Sequence, residues 1–226
     1  MKKFFLCVFI VFISIQLHIK AEAKELYLTF DDAPGDKVTA EILDILKNNQ
    51  VKGTFFIVGN RIDGREAIVK RIYNEGHGIG LHSYSHKMKY IYSSHKAFLE
   101  EMMMTSEKIY DITGLRTTAI RFPGGSKPHL TKNFLEELHS YNFKVYDWNI
   151  PVSDGLNCKI SSEKIIKEGT NSRKFTSPLI ILMHCSGENK NTAKALPSII
   201  ENYKALGYEF KTINNETKEY YFKPKK

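Results

Sequence analysis

Short β-rich runs alternate with stretches whose apolar residues recur at helical spacing along residues 24–226, a pattern that predicts an α/β fold. Residues 26–30 read as a strand running into Asp31 and Asp32, after which Val38, Ile42, Ile45 and Leu46 recur with the period of a helix. Residues 51–58 (VKGTFFIV) predict a second strand, and residues 65–75 a second helix closed by Gly76. Residues 78–81 form a short third strand ending at His82. Phe98, Met102, Ile109 and Ile112 then line one face of a longer helix that stops at Gly114, and its methionines read as core filling. Strands are expected at 118–122, 143–148, 179–183 and 208–213, with helices at 132–141, 163–168 and 196–206. Pro197 is expected to open the regular part of the last helix. About seven strands thus alternate with about six helices, which leaves a parallel barrel and a doubly wound sheet both open. In either architecture the site lies at the carboxyl ends of the strands.

The first residues set the compartment. Lys2 and Lys3 precede an apolar stretch at 4–15 (FFLCVFIVFISI), and Ala21 and Ala23 supply the small residues a signal peptidase reads. The stretch is shorter than the ~20 residues of a membrane span. Residues 1–23 are therefore expected to be a cleaved signal peptide, with an uncleaved anchor as the alternative, and residues 24–226 a single domain. Cleavage removes Lys2, Lys3, Lys20 and Glu22, so the formal charge falls from +8 to +6. The basic residues are spread along the chain as a solvated surface, so nucleic acid is not an expected partner. Hydrophobic residues at 42% and aromatics at 12% support a packed core and exclude wholesale disorder. Cys158 and Cys185 are too few for a disulfide framework, and their pairing stays open.

Four predicted strands end in reactive side chains: Asp31-Asp32, His82, Arg121 and His184. His82 and His86 lie four apart in HSYSH; a helical turn after Leu81 would point both imidazoles from one face toward a shared metal. The zinc-protease motif carries a Glu after its first His, where this chain has Ser83, so a base must come from elsewhere. Adjacent carboxylates at a strand end repel, and a cation relieves them. One of Asp31 and Asp32 can complete a two-histidine, one-carboxylate site while the other takes a proton. Arg121, in RFPGG, can hold a carboxylate ionised, and the following glycines let backbone N–H groups approach a ligand closely.

In this order, TFDDAP (29–34), HSYSH (82–86), RFPGG (121–125) and LMH (182–184) resemble the motifs of the polysaccharide deacetylase family, the NodB-homology domains of carbohydrate esterase family four. The resemblance runs over nearly all of residues 26–213. It implies a distorted, incomplete (β/α) barrel of about seven parallel strands and a metal-dependent N-deacetylase. Asp32, His82 and His86 match the family's metal ligands, with zinc the expected ion. Asp31 matches the general base, His184 the general acid and Arg121 the residue that positions the base, while the backbone N–H of Gly124 falls where the family stabilises the oxyanion. Asp154 corresponds to the aspartate that tunes the acid histidine, and Gly155 stands where a tryptophan is frequent. The chain also has Gly124 where the third motif often carries an aromatic, Ala33 before Pro34, and Cys185 after the final His. Trp148 is the candidate for lining the substrate, since sugars stack on such rings.

Export and a basic surface suit an acidic cell-wall polymer, so the expected substrate is N-acetylglucosamine in peptidoglycan, acted on by a secreted or wall-associated monomer with no stable membrane partner. Chitin-type oligomers and O-acetyl xylan fit the same site. A non-catalytic glycan-binding module predicts the loss of a ligand, base or acid, and none is lost. An iron enzyme shares the two-histidine, one-carboxylate set, but Asp31 and His184 favour hydrolysis.

Overall fold

Strand β1 (Glu25–Ala33) is the axis of the fold in a computed structural model that describes residues 24–172 and 177–225. The signal segment expected at 1–23 lies outside the described residues. Leu26, Leu28 and Phe30 alternate along β1 with no solvent exposure, each burial contributing roughly 1.5–3 kcal/mol. There follow α1 (Lys37–Asn48), β2 (Thr54–Ile57), α2 (Glu66–Asn74), β3 (Gly78–Leu81), the single-turn α3 (Met88–Ile91) and α4 (His95–Thr113). The second half comprises β4 (Ala119–Ile120), α5 (Lys132–Ser140), β5 (Lys144–Val145), β6 (Ile150–Pro151), α6 (Ser162–Gly169), β7 (Leu179–His184), α7 (Lys190–Ala205) and β8 (Glu209–Lys211).

Every strand pair is parallel, in the order β5-β4-β3-β2-β1-β7-β6, with β8 added against the start of β1. β1 pairs β7 from Leu26 to Asp31, and against β2 its register slips between Phe30 and Ala33. That irregularity carries Asp31 and Asp32, and such a bulge re-aims side chains at the end of a strand. β5 and β6, the two ends of the sheet, are joined by four residues. Tyr146 N–H donates to Ile120 O on the β4 side (2.9 Å), whereas Asn149 N–H donates to Ile180 O on the β7 side (3.1 Å). One segment thereby crosses the seam of an incomplete (β/α) barrel, as the family resemblance implied.

Two local expectations are corrected. The strand expected at 143–148 leaves β4 after Tyr146 and resumes beside β7 as β6. α7 begins at Lys190 rather than at Pro197, which sits inside it. A buried face continuous through Thr192, Ala193, Leu196, Ile199 and Ile200 outweighs the one N–H that proline lacks. Among the described residues, no helix is long and apolar enough to cross a membrane.

Candidate active site

The carboxyl ends of β1, β3 and β7, with the loop after β4, converge on one cleft. Asp32, His82 and His86 each point one ligand atom inward, all within 4.8 Å of one another. The expected helical turn after Leu81 is not what brings the histidines together. The 82–86 segment is an irregular loop with Ser83 (φ 67°) and His86 (φ 55°) in the left-handed region, where Asp32 (φ 70°) also lies. Such backbone costs on the order of 1–3 kcal/mol per residue and persists where the surroundings over-determine it. Here Glu101, buried on α4, accepts hydrogen bonds from the N–H groups of Tyr84 (2.8 Å) and Ser85 (2.6 Å) and pins the loop.

The donor set fits a divalent cation. Buried Asp32 Oδ1 has no hydrogen-bond partner. Arg61 Nη1 is 3.4 Å from it but donates to the Asp32 carbonyl at 2.8 Å. His82 Nδ1 lies 2.9 Å from the Arg121 carbonyl, so as the Nδ1–H donor it leaves its Nε2 lone pair for a ligand. Burial pulls the His82 pKa down despite the nearby Asp31 and Asp32 charges, which favours the neutral ring a metal requires. Two imidazoles and a carboxylate are a zinc-type set.

Asp31 is held as a carboxylate. Burial alone would raise its carboxyl pKa, but the Arg121 guanidinium, aided by His82 and His184, holds it below the ordinary carboxylate range. Arg121, fully buried, donates to Asp31 Oδ1 (2.8 Å) and Thr29 Oγ1 (2.7 Å), and to the carbonyls of Tyr146 (2.8 Å) and Asp147 (3.1 Å) in the seam. The other Asp31 oxygen is 3.6 Å from His82 Nε2.

His184 ends β7 with its Nδ1 2.9 Å from Asp154 Oδ1. Asp154 Oδ2 accepts from the His184 N–H (2.8 Å) and from Thr192 Oγ1 (2.7 Å), and Asn189 Nδ2 donates to the Asp154 carbonyl (3.0 Å). Burial lowers the His184 pKa, yet the Asp154 hydrogen bond and the charges of Asp31, Asp154 and Asp32 raise it overall. The ring is thus set to carry a proton on Nε2. Gly155 lies against it: a Cβ there would come within 2.2 Å of His184 Cε1.

Gly124 (φ 77°) adopts a conformation that favours glycine, and its N–H has no acceptor among the described residues. Met88 Cε sits 3.1 Å from the position of a Gly124 Cβ, occupying space beside the missing aromatic. Trp148 is half-buried, 5.8 Å from the Arg121 guanidinium and edge-on to Phe222. Cys158 and Cys185 are both free thiols; Cys185, fully buried, donates to the Asp31 carbonyl, and burial raises its pKa strongly.

Sequence reasoning missed Thr29, Glu101, Thr192, Asn189 and Asp147. Only Glu101 carried a signal, an acid on the apolar face of a helix beside Phe98 and Met102.

The family model for polysaccharide deacetylase matches residues 18–146. A peptidoglycan-N-acetylglucosamine deacetylase of Bacillus cereus is 33% identical over 199 residues, covering 87% of this chain and 71% of the relative. PgdA, a peptidoglycan-N-acetylglucosamine deacetylase of Listeria monocytogenes, is 32% identical over 193 residues, covering 84% of this chain and 38% of its own. The crystal structure of a polysaccharide deacetylase from Bacillus cereus superposes with a TM-score of 0.79 at 32% identity, covering 86% of this chain and 94% of the other. The chain belongs to the polysaccharide deacetylase family and is an enzyme of that class.

Proposed function

We propose that the chain is an exported, metal-dependent hydrolase that removes N-acetyl groups from N-acetylglucosamine residues of peptidoglycan. The observation that carries the chemistry is one cleft holding Asp31, fixed by Arg121, and His184, fixed by Asp154, beside a three-residue ligand set. The substrate rests on the likeness to the Bacillus and Listeria peptidoglycan-N-acetylglucosamine deacetylases. Export rests on residues 1–23 and places the enzyme at or beyond the cell wall.

Asp32, His82 and His86 would hold a zinc ion, which supplies Lewis acidity to the attacking water and the amide carbonyl. Asp31, ionised beside Arg121, takes a proton from the water as its oxygen attacks the carbonyl carbon. The Gly124 N–H donates to the oxyanion of the tetrahedral intermediate. His184 Nε2 gives its proton to the departing nitrogen, the C–N bond breaks, and acetate and a free amine remain. Asp154 fixes the His184 tautomer and stabilises its protonated form.

The test is acetate release from peptidoglycan and from N-acetylglucosamine oligomers, with added zinc, with chelator, and with Asp31→Asn. Zinc-dependent release lost in the variant supports the reading. Silence on both polymers with zinc bound and the fold intact overturns it.

A further inference from the structure

Asp147, in the seam between β5 and β6, is fully buried and takes no part in the chemistry above. Its side chain joins two segments far apart in sequence. Oδ1 accepts the Ser126 N–H at 3.0 Å, and Oδ2 accepts the Ser126 hydroxyl and the Phe222 N–H, the latter at 2.7 Å. Ser126 ends the loop that presents Gly124 and Gly125. Phe222 belongs to the segment 220–225, which lies along the seam. There Asp147 N–H donates to Tyr220 O (2.6 Å), Tyr220 N–H to Val145 O (3.3 Å) and Lys225 N–H to Leu130 O (2.9 Å).

The Phe222 ring meets Trp148 edge-on at 5.3 Å. Both rings pack on Gly125, where a Cβ would lie 3.0 Å from Trp148 and 3.3 Å from Phe222. Both are partly exposed, beside the loop that carries the Gly124 N–H. A sugar ring offers a C–H face that packs on such rings, and the chain lacks an aromatic at Gly124 itself.

We propose that Asp147 is a positioning residue that latches the segment 220–225 onto the Gly124 loop, and that Phe222, so held, forms with Trp148 a platform for a pyranose ring next to the one being deacetylated. The platform rests on the proposed deacetylase function; the latch does not. Asp147 acts through the Ser126 and Phe222 N–H groups, so its loss moves both the oxyanion donor and the platform. Phe222 acts on substrate binding alone.

Trp148 is the single tryptophan of the chain, so its fluorescence reports on the contact without any substrate. The experiment uses the full chain loaded with zinc, as wild type, Asp147→Asn, Phe222→Ala and the double variant. Both single variants are expected to red-shift Trp148 emission, and the double variant no further than the larger single shift. In wild type, a chitin tetramer is expected to quench this emission, and Phe222→Ala to weaken that binding and raise KM by about 3- to 10-fold with kcat nearly unchanged. Phe222→Tyr restores KM, whereas Phe222→Leu does not. Asp147→Asn lowers kcat as well, by about 10-fold or more.

An unshifted emission in Phe222→Ala overturns the platform, because it means that the ring does not touch Trp148. An unshifted emission with unaltered kcat in Asp147→Asn overturns the latch, and Ser126→Ala, which removes the hydroxyl bond to Asp147, tests the latch if Asp147→Asn fails to fold. A shift with unaltered quenching and KM overturns the platform. A wild type that releases no acetate, with Asp147→Asn still red-shifting Trp148 emission, refutes the activity and supports the latch.

Discussion

The Arg121 guanidinium lies 2.8 Å from the Asp31 carboxylate, with side-chain exposures of 0% and 4%. Neither charge has water to fall back on, so each depends on the other. Arg121 also supplies donors to Tyr146 O and Asp147 O, two carbonyls where the chain leaves one strand for the other side of the sheet. A single side chain thus bonds across the barrel seam and keeps Asp31 ionised.

Arg121→Met is expected to destabilise the fold by about 3–5 kcal/mol, because it leaves a buried carboxylate and two buried carbonyls without donors. Asp31→Asn, which keeps an acceptor for Arg121, is expected to cost less while abolishing activity. Urea unfolding of the two variants checks the order. Equal losses would mean that the guanidinium serves only as the partner of Asp31.

The parts of this site that lie on strand ends were legible in the sequence, because an apolar run stopping at Asp31, His82, Arg121 or His184 marks both a strand and its carboxyl end. The seam was not legible. Residues 143–148 read as one strand, and no local pattern says that Tyr146 bonds to β4 while Asn149 bonds to β7. Asp147 was passed over for the same reason, since its partners Ser126 and Phe222 are 21 and 75 residues away. The HSYSH loop misled differently. Four-residue spacing suits a helix, but hydrogen bonds from the Tyr84 and Ser85 N–H groups to Glu101, with left-handed backbone at Ser83 and His86, achieve the same convergence.

Zinc binding is expected to stabilise the fold, since a cation relieves Asp32 beside Asp31 and gives the unpartnered Asp32 Oδ1 a ligand. At 100 times the dissociation constant the gain is about 2.7 kcal/mol, read as a rise in melting temperature. His82→Ala removes a ligand and should abolish that rise. A rise that persists would place the ion elsewhere.

Gly155 carries a prediction because of what lies over it. A methyl group there meets the His184 ring at 2.2–2.7 Å, so Gly155→Ala must push the imidazole off Asp154. kcat is expected to fall about 10-fold or more while the melting temperature changes little, because the ring lies toward the open end of the barrel. Unchanged kinetics would show that His184 can act from a different position.

Far from the cleft, His77 links stability to pH. Its Nδ1 accepts the Gly53 N–H at 3.2 Å, a bond that only the neutral ring can make. Burial, together with the Lys52 charge, lowers its pKa to about 4 although Glu75 opposes the shift. The folded value lies below the unfolded one of about 6.5, so the unfolded chain binds the proton first. Stability is therefore complete above about pH 6.5 and is lost as pH falls toward about 4, by a total on the order of 3 kcal/mol. His77→Gln should flatten this part of the pH–stability curve, as measured by urea midpoints. An unaltered slope would assign it to other groups.

The last prediction concerns His184, the proposed acid. His184 titrates above its ordinary value because the Asp154 hydrogen bond and nearby carboxylates outweigh burial. In Asp154→Asn the negative charge is lost and one of the two carboxylate acceptors around His184 becomes an amide donor, so burial gains weight and the pKa falls. The alkaline limb of kcat/KM should then move to lower pH, with kcat reduced on the order of 10²-fold. Stability provides an independent check. A raised folded pKa contributes stability fully below about 6.5 and loses it as pH rises through the folded value. Asp154→Asn should remove that loss, so its stability deficit against wild type is larger at about pH 6 than at about pH 9. A deficit equal at both pH values, with an unmoved alkaline limb, would show that Asp154 orients His184 without setting its charge.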